Sequence, residues 1–558
     1  MNSVLAAPAT ASLDDPLYYL TNFRYVLAWV AERHGDLLGA EEAAFLDAFD
    51  TLPRPSQALL ARMVMRKGEL FRTDKLDYAE IGDPHQALAP LFAAGLVEPA
   101  PALGAAELVH HLRLPELKLA LIDAIRAAGL GASPSKKTLV EHLAPTLDAV
   151  QPLAHWWCEA PFAIVRLTVM AVCDRLRLMF FGNLRQDWAE FVLTELGRQR
   201  FEPVVLAPNA RAFQRHDEVS TYLTLHGLRE RLGDGEAPAA LYELVPPAGD
   251  NRWLAARRNR LLVSLGREAE RGGDTPLALA CYQRAASGDA RIRALRLLER
   301  LGEHRRALAL AENALAGAPR DSERQALERL VPRLARRLGG PPVKRDRRAS
   351  APERVLTLPG PQPVERAVAE HLSAPSAPVY YVENTLITAL FGLLLWPALF
   401  KPLPGAFFHP FHSAPADLYR EDFVEARRDE IDTCLALLDD GTHAGVIRDA
   451  FRQKHGTASA FVHWAALDET LLELALACLP AAHLRALFER LLEDLRHNRA
   501  GFPDLIQFFP DELGTRYRMI EVKGPGDRLQ DNQRRWLEHF ARHDIPVEVC
   551  HVRWQSAP

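Results

Sequence analysis

The pattern of hydrophobic and polar positions predicts a helical N-terminal half. Between residues 15 and 105, apolar residues recur every three or four positions, a spacing that places them on one face of an α-helix. Segments 18–38, 41–52 and 56–71 are therefore predicted as helices. The helical pattern resumes at residue 150 and continues to about residue 335.

Two similar helical units stand in the second part of this stretch. Residues 258–286 and 294–319 each contain the pattern of a helix, a turn and a second helix, and the units begin about 35 residues apart, a period typical of tetratricopeptide-like repeats. Small residues stand where the paired helices would cross. Because two units are few for a solenoid, we expect a helical scaffold that rigidly joins its neighbours.

The last 200 residues change to a pattern of strands and helices. Strands are predicted at 501–509, 516–523 and 546–554. A Gly-Pro-Gly turn at 524–526 separates the second strand from an amphipathic helix at 529–542. The predicted fold class is multidomain and mainly α: helical N-terminal and tetratricopeptide-like middle regions are followed by a C-terminal α/β domain with a mixed central sheet.

Length, charge and cysteine content limit the class of protein. The chain has 558 residues, enough for three or four domains of roughly 100–200 residues each. Its 67 Lys and Arg against 72 Asp and Glu leave a net charge of -5, so any binding of nucleic acid must come from local basic patches. The six cysteines include no C-x-x-C pair, which argues against a disulfide framework or a zinc ribbon and for a reducing cytosol.

No segment predicts export or insertion into a membrane. The N-terminus lacks a basic stretch followed by an apolar core, so no signal peptide is predicted. The longest apolar stretch, 386–400, has 15 residues, whereas a bilayer needs about 20, so a buried core helix is expected there. These features predict a cytoplasmic protein with no membrane partner.

Basic residues concentrate on two helical segments of the N-terminal half. Arg66 and Lys67 stand on the third predicted helix, where either a solvated face or a phosphate-contacting face explains them. Residues 112–143 pair two short helices around a Gly/Ser/Pro turn. This segment carries three lysines, Lys118, Lys136 and Lys137. Helix N-termini and lysines both favour phosphate, and the segment resembles a SAP module, a small binder of the DNA backbone; an ordinary helical hairpin is the alternative.

A basic segment connects the helical middle of the chain to the C-terminal domain. Residues 333–354 hold eight Lys or Arg and two Asp or Glu, a local charge of +6. Because Pro and Gly interrupt any helix there, residues 341–365 are predicted as a linker. The linker is either a mobile, solvated connector or a loop that lies along a polyanion.

The acidic residues of the C-terminal domain follow a pattern with chemical meaning. Alternate side chains of a strand share a face, so Glu521 and Lys523 project together while Val522 points into the core. If Asp504 lies on the neighbouring strand, two carboxylates that can hold a divalent cation converge with an ammonium group. Lys523 is the last of only nine lysines among the 67 basic residues. A compact ammonium suits a contact with the transition state better than a guanidinium fork does.

Two further polar residues stand beside apolar helical positions. Gln533 shares a helix face with Leu529, Trp536 and Phe540, which places an amide on the sheet-facing stripe near the carboxylates. The alternative is a glutamine at the margin of that stripe. Glu383 stands at the start of the apolar helix, where it either complements the helix dipole or enters a metal site.

Asp504, Glu521 and Lys523 form the PD-x(n)-(D/E)-x-K pattern of a large nuclease superfamily. Residues 500–552, with the signature E-V-K-G-P-x-D-R-L-x-x-x-Q, resemble a VRR-NUC nuclease domain. Residues 382–400 resemble the Glu-led helix that precedes this domain in the Fanconi-anaemia-associated nuclease family. Because two N-terminal blocks, 18–30 and 65–81, are similar to the same family, the resemblance extends over both ends of the chain and points to its bacterial members.

The resemblance implies a metal site and a catalytic centre at matching positions. The implied metal ligands are Glu383, Asp504, Glu521 and the carbonyl of Val522, with Mg²⁺ or Mn²⁺ as the cofactor and two ions in the site. The implied catalytic residues are Asp504, Glu521, Lys523 and, in a supporting role, Gln533.

The resemblance also implies contacts with DNA beside the catalytic centre. Arg496 matches a basic family position near the scissile or terminal phosphate, and Arg528 of the signature is expected to contact DNA as well. Some relatives from eukaryotes carry Lys directly before the Gln of the signature, where this chain has Asn532. The resemblance therefore supports hydrolysis but not a family-type pocket for a 5′-phosphate.

The implied activity is metal-dependent cleavage of 5′-flap and branched DNA, with 5′–3′ exonuclease action, in the repair of DNA interstrand crosslinks. Branched or flapped duplex DNA is the expected partner, with DNA-repair proteins as further candidates. A non-catalytic DNA-binding repair scaffold and a Holliday-junction-type resolvase are the alternatives. The predicted domains are a helical DNA-binding region at 1–110, a SAP-like module at 111–150, a tetratricopeptide-like domain at 151–340, the linker at 341–365 and a VRR-NUC domain at 366–558.

Overall fold

The chain divides into two compact units in a computed structural model. The first unit comprises residues 1–198 and 211–219, and the second comprises residues 199–210 and 220–558. The structure describes residues 15–130, 134–143, 147, 149–186, 188, 200–206, 211–247, 249–317, 319, 321–341, 351–420 and 422–555.

Helices make up most of the first unit. They are α1 (Tyr18–His34), α2 (Ala40–Thr51), α3 (Arg54–Val64), α4 (Pro84–Ala93), α5 (Ala105–His111), α6 (Leu114–Ala120), α7 (Ile122–Ala127), α8 (Lys136–Thr138), α9 (Leu153–Trp156) and α10 (Met170–Phe181). The strands β1 (Leu70–Arg72), β2 (Val97–Glu98) and β3 (Ile164–Leu167) form an antiparallel sheet in the order β1–β3–β2.

The predicted helix at 56–71 is wrong at its C-terminal end. The helix stops at Val64, and Gly68 then adopts a φ of +87°, which turns the chain into β1. Phe71 is buried and lies opposite Val165 on β3. Because this pairing joins residues more than 90 positions apart, the local helical spacing of the apolar residues did not reveal it.

The segment predicted as a SAP-like module folds into short helices around a small apolar core. α6 and α7 are followed by α8, which begins after Ser135 and continues as a π-helical turn through Leu143. The Ser135 hydroxyl accepts a hydrogen bond of 3.1 Å from the Thr138 N–H, as an N-cap residue does. Leu117 and Leu139 are fully buried in this core. Residues 131–133, 144–146 and 148 of the segment lie outside the described residues.

The helical part of the second unit contains the two repeat-like hairpins. Its helices are α11 (His216–Gly233, which begins in the first unit), α12 (Pro238–Glu243), α13 (Arg252–Arg271), α14 (Thr275–Arg284), α15 (Gly288–Arg300), α16 (His304–Ala316) and α17 (Asp321–Arg337). Gly266 lies where α13 crosses α14, and a Cβ at this position would stand 2.5 Å from the Tyr282 ring. The expected small residue at a helix crossing is therefore present.

A five-stranded mixed sheet forms the centre of the C-terminal domain, as predicted. Its strands are β4 (Glu353–Leu358), β5 (Val379–Tyr381), β6 (Leu505–Phe508), β7 (Tyr517–Lys523) and β8 (Val547–Trp554), in the order β4–β8–β7–β6–β5. β8 pairs parallel with both β4 and β7, whereas β6 pairs antiparallel with β7 and β5.

The sheet corrects the predicted linker. Residues 353–358, predicted as part of the linker at 341–365, form the edge strand β4 and pair with β8. Only one side chain of β4, that of Leu358, is buried, so the strand carries little apolar signal. Residues 342–350 of the predicted linker lie outside the described residues.

Helices surround the sheet and provide most of the core of this domain. They are α18 (Val364–Leu372), α19 (Leu386–Leu394), α20 (Trp396–Leu399), α21 (Arg428–Asp439), α22 (His443–Lys454), α23 (Glu469–Cys478), α24 (Ala481–Glu493) and α25 (Asp531–Arg542). All nine residues of α19 are buried, so the apolar stretch at 386–400 is a core element, as predicted. Within the described residues, no single helix is long and apolar enough to cross a membrane; the bent pair α23 and α24 passes only when taken together.

We expect the substitution Leu390→Ala in α19 to lower the free energy of unfolding by about 2–5 kcal/mol, because Leu390 is fully buried in the largest apolar cluster. The matched control is Leu513→Ala, since the Leu513 side chain is fully exposed in the turn between β6 and β7, and this change should have little effect. Equilibrium denaturation in urea measures both. Equal losses in the two variants would contradict the assignment of α19 to the core.

Candidate active site

Two paired strands bring the acidic residues of the C-terminal domain together. Leu505 of β6 lies opposite Ile520 of β7, which places Asp504 beside the end of β7. The Val522 N–H donates a hydrogen bond of 2.8 Å to Asp504 Oδ2. Asp504 and Glu521 are both buried, at 8% and 1% exposure. The adjacent strands expected from the sequence are therefore observed.

Two polar side chains contact the same oxygen of Glu521. Lys523 Nζ lies 2.6 Å from Glu521 Oε1, and Gln533 Nε2 donates a hydrogen bond of 2.5 Å to that atom. The amide oxygen of Gln533, Oε1, accepts a hydrogen bond of 2.8 Å from the Gln530 N–H at the start of α25. Because a backbone donor occupies the amide oxygen, the amide nitrogen is directed at Glu521. The structure thus brings Asp504, Glu521, Lys523 and Gln533 together.

Burial and mutual repulsion oppose ionisation of the two carboxyl groups. Desolvation raises the pKa of Glu521 to about 7, and the charge of Asp504 adds to this effect while Lys523 counteracts it. Desolvation likewise raises the pKa of Asp504 to about 6, against the opposing effects of the Val522 N–H and Lys523. A further positive charge beside these two carboxyl groups would therefore stabilise their ionised forms.

Glu383 is the third acidic residue of this region. It lies in a turn three residues before α19 rather than on the helix itself, and the neighbouring Val382 N–H donates a hydrogen bond of 2.8 Å to the Asp504 carbonyl oxygen. The Glu383 charge contributes to the raised pKa of both Asp504 and Glu521. Its position before α19 corrects the predicted helix start, since Asn384 has a φ of +52° and interrupts the helix there.

Sequence reasoning missed three residues beside the cluster. The Tyr381 hydroxyl donates a hydrogen bond of 2.5 Å to Glu383 Oε2, and this contact raises the pKa of Tyr381. Asn384 Nδ2 donates a hydrogen bond of 3.2 Å to Glu383 Oε1. Glu365, in the first turn of α18, adds negative charge that contributes to the raised pKa of Asp504. Tyr381 and Asn384 lie within two residues of Glu383 in sequence, but no spacing rule marks a tyrosine or an asparagine as a partner of a carboxylate.

The donor set fits a hard divalent cation. Carboxylate and carbonyl oxygens are the ligands that Mg²⁺ and Mn²⁺ prefer, and one or two carboxylates with water suffice for Mg²⁺. In the described part of the chain, no three His, Cys, Asp or Glu side chains are arranged so that they could hold a metal ion as they stand. Lys523 and Gln533 both contact Glu521 Oε1. A cation at this site would therefore bind the other carboxylate oxygens or displace Lys523 from Glu521.

The two arginines of the C-terminal domain that were predicted to contact DNA are both exposed. The Arg496 guanidinium lies 5.4 Å from the centre of the Tyr419 ring, in the segment between α24 and β6. Arg528 lies in the loop that joins β7 to α25, where Asp527 accepts a hydrogen bond of 2.9 Å from the Gly524 N–H. The exposed side chains leave both cations accessible to a ligand.

The remaining predicted DNA-binding residues lie in the first unit and differ in their surroundings. Arg66 and Lys67 are exposed, and Arg66 donates hydrogen bonds to the Lys75 carbonyl and the Tyr78 hydroxyl. Lys118 is half-buried on α6. Lys136 donates a hydrogen bond to the Leu112 carbonyl, and Lys137 lies 3.7 Å from Glu141.

Two family models match the chain at its two ends. Residues 17–98 match the model described as the HTH domain of FAN1, and residues 439–554 match the model of the VRR-NUC domain. The second match covers β6, β7 and α25, and therefore Asp504, Glu521, Lys523 and Gln533. A nuclease domain of this type implies the use of a divalent metal ion.

Known proteins resemble the chain along nearly its full length. The Fanconi-associated nuclease 1 homolog of Pseudomonas aeruginosa is 50% identical over 97% of both chains. The homolog of Oryza sativa is 27% identical over 96% of this chain and 62% of its own length. A crystal structure of paFAN1 bound to DNA with a 2-nucleotide 5′ flap and a gap is 48% identical, with a TM-score of 0.92 over 98% of this chain and 100% of the other. The family resemblance seen in the sequence is thereby confirmed: the chain belongs to the Fanconi-associated nuclease 1 family and is a DNA nuclease that hydrolyses phosphodiester bonds.

Proposed function

We propose that this chain is a structure-specific nuclease that cleaves 5′-flap and branched DNA and degrades DNA in the 5′–3′ direction, in the repair of interstrand crosslinks. The observation that carries the proposal is the cluster formed by the buried residues Asp504, Glu521 and Lys523 with the half-buried Gln533. It is supported by a relative of 48% identity that was crystallised with 5′-flap DNA. Because its substrate would be DNA, we expect the chain to act at the nucleoid in the bacterial cytoplasm.

The proposed metal is Mg²⁺ or Mn²⁺, bound as two ions. Glu383, Asp504, Glu521 and the Val522 carbonyl would hold the ions. When bound, such ions lower the pKa of a water ligand and neutralise charge on the phosphate. The raised pKa values of Asp504 and Glu521 support this assignment, because a cation would relieve the repulsion between the two carboxylates.

The other site residues would act on the phosphate and on the carboxylates. The Lys523 ammonium, whose Nζ lies 2.6 Å from Glu521 Oε1, would stabilise negative charge that develops on the phosphate oxygens. Gln533 would hold Glu521 in position through its amide, which is itself fixed by the Gln530 N–H. Cleavage would leave a 5′-phosphate and a 3′-hydroxyl.

DNA would be held by basic residues of both units. Arg496 and Arg528 would contact backbone phosphates close to the scissile bond. In the first unit, the proposed phosphate contacts are Arg66, Lys67, Lys118, Lys136 and Lys137. Such contacts supply affinity that is independent of sequence, which suits an enzyme that recognises the shape of branched DNA.

We expect Lys523→Met to reduce the rate of cleavage of a labelled 5′-flap substrate with Mn²⁺ by about 10²–10³-fold, because the ammonium stabilises charge in the transition state. The matched control is Lys401→Met, since Lys401 pairs with Glu430 away from the cluster. A denaturing gel measures both rates. Full activity of the Lys523 variant would contradict its proposed role.

We expect the binding of Mn²⁺ to release protons near pH 6.5. The pKa of Glu521 is raised to about 7, so this carboxyl is largely protonated at pH 6.5, and a bound cation requires the carboxylate. Affinity should therefore rise between pH 6 and pH 8, and proton release should vanish near pH 8.5. Calorimetric titration with Mn²⁺ in buffers of different ionisation heat measures the protons released.

The control for proton release is Glu548→Gln, because Glu548 is a buried carboxylate on β8 that pairs with Arg354 and Arg518 instead. This variant should release the same number of protons as the unmodified chain. Equal affinity for Mn²⁺ at pH 6 and pH 8, without proton release, would contradict the assignment of the metal to the carboxylates.

We expect Lys137→Ala to weaken DNA binding similarly for all sequences and to lower the dependence of affinity on salt by about one counterion. Glu141→Ala should have the opposite effect, because it removes the carboxylate that lies 3.7 Å from Lys137. Fluorescence anisotropy with a flap substrate, in Ca²⁺ and at several salt concentrations, measures both. No change in either variant would show that this pair lies outside the DNA interface.

A further inference from the structure

The turn that carries Glu383 contains an unusual backbone conformation. Asn384 has a φ of +52°, and in the described part of the chain only Asp544 shares a positive φ among residues other than glycine. Residues with side chains avoid this region because Cβ crowds the following carbonyl, and asparagine and aspartate tolerate it best. A glycine would adopt the same turn without strain, so the reason that asparagine stands here lies in the contacts of the Asn384 side chain.

The Asn384 amide connects Glu383 to the segment that leads into Asp504. Its Nδ2 donates a hydrogen bond of 3.2 Å to Glu383 Oε1. Its Oδ1 accepts hydrogen bonds from the N–H groups of Gly501, at 2.8 Å, and Phe502, at 3.1 Å. One side chain therefore contacts a carboxylate on one side and the backbone before Asp504 on the other, across more than 110 positions of the chain.

The same segment fixes the start of α25. Gly501 has a φ of +97°, and a Cβ on it would stand 2.9 Å from the backbone carbon of Asn532. Only a glycine allows this close approach. Because Asn532 directly precedes Gln533, the backbone that Asn384 holds lies against the turn of helix whose amide contacts Glu521.

Residue type matters at position 384 for two separate reasons. Glycine would accept the backbone conformation but would lose all three hydrogen bonds. Aspartate would keep the acceptor for the two N–H groups but would place a second negative charge against Glu383. Asparagine combines tolerance of a positive φ with both a donor and an acceptor on one short amide.

We propose that Asn384 is a positioning residue that holds Glu383 at a set distance from Asp504, so that the two carboxylates share a cation. This inference rests on the metal-binding role of Glu383 in the proposed function. Glu383 is exposed, so its side chain is free to turn towards solvent unless Asn384 and Tyr381 restrain it. Loss of a group that orients a metal ligand typically lowers metal affinity about 10–100-fold.

The direct test is the affinity for Mn²⁺ alone, without DNA, measured by electron paramagnetic resonance of free Mn²⁺ on the full chain. We expect Asn384→Gly to weaken binding at least about tenfold, because it keeps the backbone conformation and removes the amide. Asp544→Gly is the matched control, since it makes the same kind of change at the other positive-φ residue, and it should leave Mn²⁺ affinity unchanged. Thermal unfolding of both variants, which a merely structural role would alter, is measured alongside.

A double-mutant cycle with Glu383→Ala shows whether Asn384 acts through Glu383. Glu383→Ala should itself weaken Mn²⁺ binding. Adding Asn384→Gly to the Glu383→Ala variant should then lower Mn²⁺ affinity by much less than the tenfold that Asn384→Gly causes in the unmodified chain. If the two losses multiply fully, or if Asn384→Gly lowers only the unfolding temperature, the positioning role is overturned while the metal role of Glu383 stands. If Glu383→Ala leaves Mn²⁺ affinity unchanged, both the metal role and the positioning role are overturned.

Discussion

The antiparallel pairing of β6 with β7 places two buried carboxylates side by side, and the rest of the site responds to that constraint. Asp504 and Glu521 would repel each other because both are buried, where solvent screens their charges little. Three groups offset this repulsion: the Val522 N–H on Asp504, and the Lys523 ammonium and Gln533 amide on Glu521. The pKa values of both acids remain raised, so the compensation by the protein alone is incomplete, and a divalent cation would complete it.

Packing around α25 keeps Gln533 in place beside Glu521. Trp536 on α25 is buried and donates a hydrogen bond to the Asn498 carbonyl, and the Arg490 guanidinium lies 5.1 Å from its ring. These contacts hold the helix that presents Gln533. The first turn of α25 also contacts the last helix of the predicted tetratricopeptide-like domain, since Asp531 pairs with Arg329 of α17 at 2.5 Å. The helical scaffold expected to join neighbouring parts of the chain therefore touches the helix that carries a site residue.

Much of the site could be predicted because it obeys short-range rules. Side-chain alternation along β7 put Glu521 and Lys523 on one face, and helical spacing put Gln533 on the sheet-facing side of α25. Glu383 was predicted at the start of the apolar helix, but the helix begins three residues later, at Leu386. The strand β4 was taken for linker because its edge position leaves five of its six residues without a buried side chain.

Contacts between distant parts of the chain set the limit of prediction from sequence. The hydrogen bonds from Gly501 and Phe502 to Asn384 span more than 110 residues, and the local sequence of neither partner predicts them. The pairing of β1 with β3 was missed for the same reason. In both cases the local pattern extended an element over residues whose conformation a distant partner determines: the predicted helix ran past Val64, and the predicted strand began at residue 501 rather than at Leu505.

The central claim is that the paired strands hold a carboxylate cluster that a divalent cation completes. The most direct measurement is anomalous X-ray diffraction at the manganese edge from crystals of the chain grown with Mn²⁺. We predict anomalous peaks bounded by Asp504, Glu521 and the Val522 carbonyl, with Lys523 displaced from Glu521 Oε1. Well-ordered carboxylates without a peak between them, or Mn²⁺ bound only elsewhere, would contradict the claim.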